Sequence, residues 1–236
     1  MRRVLSFLNL TCTTICLSII ALIVSFLDSK GERVHKIARL WAVIHLKICG
    51  IIVHIKGLEH VKEPPYIFMC NHQSALDIFA LLSSLPVPFK WIAKRSLFLI
   101  PFLGWGMKKA GYISLDRENP REALKAIEDA ASKIREGMNI IIFPEGTRGD
   151  GRNLLPFKKG GFSLALRAKV PIIPMGINGT SILQPKGSFL PRQKGVIYIT
   201  IGEVLHVECE SRSAKTKVMS EVREQIEKLI GMGEGV

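Results

Sequence analysis

No C-x-x-C pair occurs among the five cysteines, Cys12, Cys16, Cys49, Cys70 and Cys209, and none clusters with histidine at ligand spacing. That excludes the common structural zinc sites and offers no disulfide framework. The thiols read as small apolar residues, and nothing in their pattern calls for an oxidising compartment. Repeats, sustained heptads and low-complexity blocks are missing too, which excludes solenoids and coiled coils. There is no G-x-S-x-G turn, so the elbow that exposes a serine nucleophile is absent. Acidic residues are short in number, 20 against 33 lysines and arginines, leaving a formal net charge of +13. The excess is spread along the chain without zinc-finger spacing, an RNP-like aromatic pattern or an arginine-rich arm, so nucleic acid is not the expected partner. A negatively charged membrane surface, a phosphorylated small molecule or an acidic carrier protein would meet the same charge.

What is present begins with length: 236 residues at 47% apolar composition suffice for one core. Residues 4–27 carry no charge, and a helix of that length reaches ~36 Å, enough to cross a bilayer core. A spanning anchor and a re-entrant or interfacial helix both fit. A cleaved signal peptide fits poorly, because the run exceeds an ordinary h-region and no small-x-small site follows. Arg2 and Arg3 precede the run, and Lys30, Arg33, Lys36 and Arg39 follow it offset by Asp28 and Glu32, so charge leaves the orientation open. Residues 33–54 then read as an amphipathic helix, with Arg33, Lys36, Arg39 and Lys47 opposite Ile44, Ile48 and Ile52.

Beyond Gly57, short apolar runs alternate with helical stretches. Residues 66–70, 90–93, 112–115, 139–143, 172–176 and 196–201 read as strands, and 75–85, 120–135, 160–168 and 213–230 as helices. Asn119 and Pro120 supply the cap and first residue of the second of these helices. The expectation is an α/β fold, a mixed sheet flanked by helices, behind an N-terminal membrane helix and amphipathic helix. Its parts are a membrane-associated segment 1–54, a catalytic domain 55–230 and a flexible tail 231–236.

Two segments at strand ends carry chemistry. In N-H-Q-S-A-L-D at 71–77, His72 and Asp77 form an H-x-x-x-x-D spacing. Imidazole exchanges protons near neutrality, and a carboxylate on its far nitrogen sets the tautomer and stabilises the imidazolium. With no nucleophile elbow, such a base would activate a hydroxyl of the substrate rather than of the protein. In F-P-E-G-T-R at 143–148, Gly146 lets backbone approach a ligand, Arg148 suits bidentate phosphate binding and Glu145 suits hydroxyls. A charged turn in which Glu145 and Arg148 pair with each other is the other arrangement these residues allow.

Together these two segments resemble the 1-acylglycerol-3-phosphate acyltransferase family of glycerolipid acyltransferases. G-Y-I-S-L-D-R at 111–117 is similar to that family's second motif, although Ser114 stands where an aromatic residue is common, and V-P-I-I-P-M at 170–175 is similar to its fourth. Lys94 resembles the lysine that joins the motif-three arginine on the phosphate. The resemblance implies that His72 and Asp77 are catalytic and that Lys94, Arg117, Glu145, Gly146, Thr147 and Arg148 bind substrate. Lys94, Arg117 and Arg148 would hold the phosphate of lysophosphatidic acid, and Glu145 would seat the glycerol. The sequence does not identify the oxyanion donor, for which backbone N–H groups near Gly146 are candidates. The resemblance further implies acyl-CoA or acyl carrier protein as donor, no metal or other cofactor, a bilayer as partner and a catalytic domain facing the cytoplasm at the inner membrane. Acylation of glycerol 3-phosphate or a lyso-aminolipid, or non-catalytic binding of anionic lipid, are the competing expectations.

Overall fold

The computed structural model describes residues 2–62, 65–116, 119–207 and 212–232. Seven strands form one sheet: β1 (Ile51–Lys56), β2 (Ile67–Cys70), β3 (Phe89–Lys94), β4 (Ile113–Leu115), β5 (Asn139–Ile142), β6 (Ile172–Asn178) and β7 (Gly195–Ile201). Their order is β1-β7-β6-β2-β5-β3-β4, with only the β6–β7 pair antiparallel, so the expected mixed α/β sheet is what forms. β2 and β5 are buried at every position, because helices cover both sheet faces.

Strand alternation divides the core in two. Phe68 and Cys70 of β2 point to a cluster with α2 (Glu32–Cys49) and α3 (Leu76–Ser84). Ile67 and Met69 point the other way, to a cluster with α5 (Pro120–Arg135), α6 (Lys159–Ala168) and α8 (Arg212–Gly231). α1 (Arg2–Val24), α4 (Leu103–Lys109) and the short α7 (Thr180–Leu183) complete the helices. The cap of α5 is as read from sequence: the Asn119 side chain accepts from the N–H of Arg121 and of Glu122, with Pro120 behind it.

The expected helix over 33–54 needs correcting. It stops at Cys49, where Gly50 takes a left-handed conformation, and Ile51–Lys56 instead forms β1 beside β7. The division expected between residues 54 and 55 therefore falls inside a strand. Five residues rich in Ile and Val fit either period, and pairing with the β7 edge decides between them. The apolar face also differs from the expected one, since Val34, Ala42, Leu46 and Cys49 are buried while Ile48 and Ile52 are exposed. At the other end α8 continues to Gly231, into the expected tail, whose last residues 233–236 lie outside those described.

α1 and α2 pack as an antiparallel hairpin. Trp41 Nε1 donates to Thr14 Oγ1 at 3.1 Å, Asn9 Nδ2 lies 3.4 Å from His45 Nδ1, and Cys49 Sγ reaches Ser6 Oγ at 3.7 Å. Small polar residues of α1 thus face α2, while its outward side presents Phe7, Leu8, Ile19 and Ile23. The hairpin turn is fastened to the sheet by Lys90, buried on β3, whose ammonium donates to the carbonyls of Lys30, Gly31 and Ala110 at 2.9, 3.3 and 2.7 Å. Gly31 has φ +67, and a Cβ there would meet the Ala110 carbonyl at 2.8 Å, so no other residue lets the turn approach this closely.

Burial pushes the Lys90 ammonium down from 10.5 to about 8, against the pull of Asp28. Between these two values the unfolded chain keeps a proton that the folded chain has released, so stability rises with pH across that window. Below it both states are charged and the fold carries the whole desolvation cost. Lys90→Met is expected to flatten that rise and, by stranding three carbonyls, to cost about 1–3 kcal/mol near neutrality. Urea unfolding near pH 7 and near pH 9.5 reads both effects, and equal slopes in parent and variant would refute the assignment.

Candidate active site

β2 and β5 are parallel neighbours, so the loops leaving their carboxyl ends meet. Asn71 opens the first loop. Its side chain donates to the Ile177 carbonyl at 2.8 Å and accepts from the Ile177 N–H at 2.7 Å, copying a strand partner and extending the β2–β6 ladder by one residue. His72 is therefore delivered from a fixed backbone.

Asp77 lies in the first turn of α3 and is fully buried. Its Oδ2 accepts from the N–H of Gln73 at 2.7 Å and of Ser74 at 2.8 Å, and lies 2.8 Å from His72 Nδ1. A carboxylate oxygen can only accept, so Nδ1 carries the proton and Nε2 is left with a lone pair. The imidazole stacks on Phe143, centroids 3.9 Å apart and planes 14° from parallel, and Phe143 stacks in turn on Trp91. Ring and carboxylate together allow the imidazole one orientation, with its side chain 17% exposed.

Glu145 does something other than seat a hydroxyl. It is 2% exposed, and its two oxygens accept from the N–H of His72 at 2.7 Å and of Leu155 at 2.9 Å. Burial raises its pKa, with those N–H groups opposing. The carboxylate is spent on holding two loops together, and it does not pair with Arg148. The Gly149 N–H adds a bond to the His72 carbonyl at 2.7 Å, so the residue is held at both its N–H and its C=O. Gly146, at φ +74, makes the turn between, and its own N–H donates to the Phe143 carbonyl rather than toward the site.

The remaining candidates divide. Thr147 is exposed and Arg148 half-buried on the β5 turn, while Lys94 is exposed at the carboxyl end of β3, the strand beside β5. Among the described residues neither cation has an ion-pair partner. Arg117 lies outside the described residues, two positions beyond the end of β4. The ends of β2, β5, β3 and β4 thus follow one another along one sheet edge.

Sequence reasoning missed two supports. Arg223 of α8 donates to the carbonyls of Leu154 and Leu155 at 2.9 and 3.0 Å, over the face of Phe157, and so holds the segment whose N–H anchors Glu145. Ser74 Oγ donates to the Gln184 carbonyl at 2.8 Å and accepts from the Leu76 N–H. Arg223 looks like any solvated arginine of an amphipathic helix, with Glu227 four residues on, so no pattern marked it. Two potential nucleophiles are also disposed of. Ser74 is committed to these bonds, and burial, aided by Asp77 and Glu145, pushes the Cys70 thiol well up, away from the thiolate.

The family model described as Acyltransferase matches residues 52–178. A chloroplast 1-acyl-sn-glycerol-3-phosphate acyltransferase of Brassica napus is 38% identical over 156 residues, 65% of this chain and 45% of that protein. The 1-acyl-sn-glycerol-3-phosphate acyltransferase of Pseudomonas aeruginosa is 33% identical, over 71% of this chain and 64% of that one. The chain spans about half the length of the first curated relatives it matches. Among solved structures, the 1-acyl-sn-glycerophosphate acyltransferase PlsC of Thermotoga maritima superposes with a TM-score of 0.81 at 25% identity, over 100% of this chain and 99% of that one.

Replacing one Glu145 oxygen by an amide sets an NH2 against a buried N–H. Glu145→Gln is expected to cost about 1–3 kcal/mol and to speed hydrogen exchange at the His72 or Leu155 amide. Unchanged protection at both amides would show that the clamp is not what holds the loop.

Proposed function

The chain belongs to the acyltransferase family, and from that premise we propose that it transfers an acyl group from acyl-CoA or acyl carrier protein to the sn-2 hydroxyl of 1-acylglycerol 3-phosphate, forming phosphatidic acid. The observation that carries the reading is the His72 imidazole, bonded through Nδ1 to buried Asp77 and offering Nε2 at the sheet edge. Nε2 takes the hydroxyl proton as that oxygen attacks the thioester carbonyl. Asp77 steadies the imidazolium, and the tetrahedral intermediate collapses by expelling thiolate, which recovers the proton. The commitments of Ser74 and Cys70 favour this direct transfer over an acyl-enzyme, and the chemistry so written needs no cofactor beyond the two substrates.

The cations suit the phosphate by position. Strands lie ~4.8 Å apart, so the ends of β5, β3 and β4 step away from His72 over roughly 14 Å. Arg148 stands one strand from the base and Lys94 two. Long side chains reaching back across that distance would hold a phosphate near a hydroxyl already at Nε2. With the Gly146 N–H committed to its turn, the Thr147 and Arg148 N–H groups are the better oxyanion donors.

The hairpin bears on location. The region 6–27 is long and apolar enough to cross a membrane. Yet α1 packs along α2, which exposes Arg33, Lys36 and Lys47 and is itself built onto the sheet. A full span would draw those charges into hydrocarbon, so the packing supports an interfacial hairpin that keeps the catalytic domain against the cytoplasmic leaflet.

Thiol release with lysophosphatidic acid as acceptor tests the reaction, run with each thioester. His72→Ala, at equal folded amount, is expected to lower kcat by about two orders of magnitude or more. Arg148→Ala is expected to raise the acceptor KM about tenfold while leaving the thioester KM alone. Full activity in His72→Ala, or no acceptor-dependent release with either thioester, would overturn the proposal.

A further inference from the structure

The segment between β6 and β7 lies just beyond the residues matched by the family and takes no part in the chemistry above. It exposes two large apolar side chains, Ile182 and Phe189, each 67% accessible. Such exposure would mean little on a loose loop, but this one is tightly built. Buried Gln184 donates through Nε2 to the carbonyls of Ser188 and Phe189 at 3.1 and 3.0 Å. The Arg192 N–H donates to the Leu183 carbonyl at 2.8 Å, and Arg192 Nε reaches Ser188 Oγ at 3.2 Å. Phe189 is thus held outward by its own loop.

Two observations identify what covers it. The Phe189 ring meets Phe7 of α1, centroids 5.9 Å apart, so the patch continues the outward apolar face of that helix. Lys186, Arg192 and Lys194 stand exposed in the same segment, which contains no acidic residue. An apolar surface extending from a 23-residue helix onto a separate loop, with cations beside it, fits hydrocarbon below and negative headgroups around.

We propose that residues 182–194 form a second lipid-contacting surface, seated with α1 on a bilayer of anionic phospholipid. Ile182 and Phe189 enter the interface, and the three cations meet the headgroups. The Gln184 carbonyl that accepts from Ser74 Oγ links this surface directly to the loop carrying His72. The depth at which the segment sits therefore sets the height of the base above the lipid plane. The role in catalysis rests on the acyltransferase reading, whereas the lipid contact does not.

The experiment is flotation of the full chain with vesicles of phosphatidylcholine, alone or mixed with phosphatidylglycerol. The double variant Ile182→Ser, Phe189→Ser is expected to bind the mixed vesicles about tenfold more weakly, and Lys186→Gln with Lys194→Gln to lose most of the preference for mixed over neutral vesicles. Phe189→Trp is expected to bind as the parent does, its added emission quenched by brominated phosphatidylcholine. In the apolar double variant, acylation of a long-chain acceptor in vesicles should fall while a short-chain dissolved acceptor is used as before. Unchanged flotation of that variant, or no quenching at Trp in place of Phe189, overturns the proposal. Intact flotation with weakened binding of acyl carrier protein would assign the face to a protein instead. If flotation falls as expected but the parent acylates neither acceptor, the lipid contact stands and the acyltransferase reading fails.

Discussion

A single carboxylate oxygen organises the reactive end of the sheet. Asp77 Oδ2 holds two backbone N–H groups and the His72 ring at once. The turn between β2 and α3 cannot rearrange without stranding donors in a fully buried place. The same contact that folds the turn selects the tautomer of the His72 imidazole, so five residues of spacing fix both the turn and the ring.

Around that oxygen the support is arranged in tiers. Asn71 fixes the backbone before His72, Glu145 and Gly149 bond its N–H and C=O, and Arg223 holds the segment against which Glu145 rests. Phe143 covers one face of the imidazole. Each tier comes from a different element, and the sheet order that sets β2 between β5 and β6 makes them neighbours. Glu145 of the F-P-E-G-T-R segment is therefore spent on architecture, while Arg148 has no ionic partner among the described residues.

The N-terminal hairpin inverts the usual amphipathic logic. Serine, threonine and asparagine of α1 face inward to α2, and isoleucine and phenylalanine face outward. That choice suits a helix whose outer surroundings are apolar. The buried Lys90 ammonium, gripping the hairpin turn through three carbonyls, makes α1 and α2 part of the body built on the sheet rather than a tether.

From the sequence alone came the α/β class, six of the seven strands, the α5 cap and the pairing of His72 with Asp77. Each depends on local pattern: period-two runs, an Asn-Pro start, and a short spacing across one turn. β1 is ambiguous in sequence because its four apolar residues, Ile51, Ile52, Val53 and Ile55, fit either period, and only the β7 edge distinguishes them. The sequence offers Glu145 to a hydroxyl because carboxylates bind hydroxyls; its burial against the His72 loop, 73 residues away, arises from two distant strands lying side by side. Arg223 and Gln184 carry no signature, since their partners are backbone carbonyls, which every residue has. Local chemistry is written in neighbouring residues, whereas which buried donor meets which acceptor is decided only when the sheet brings distant loops to the same edge.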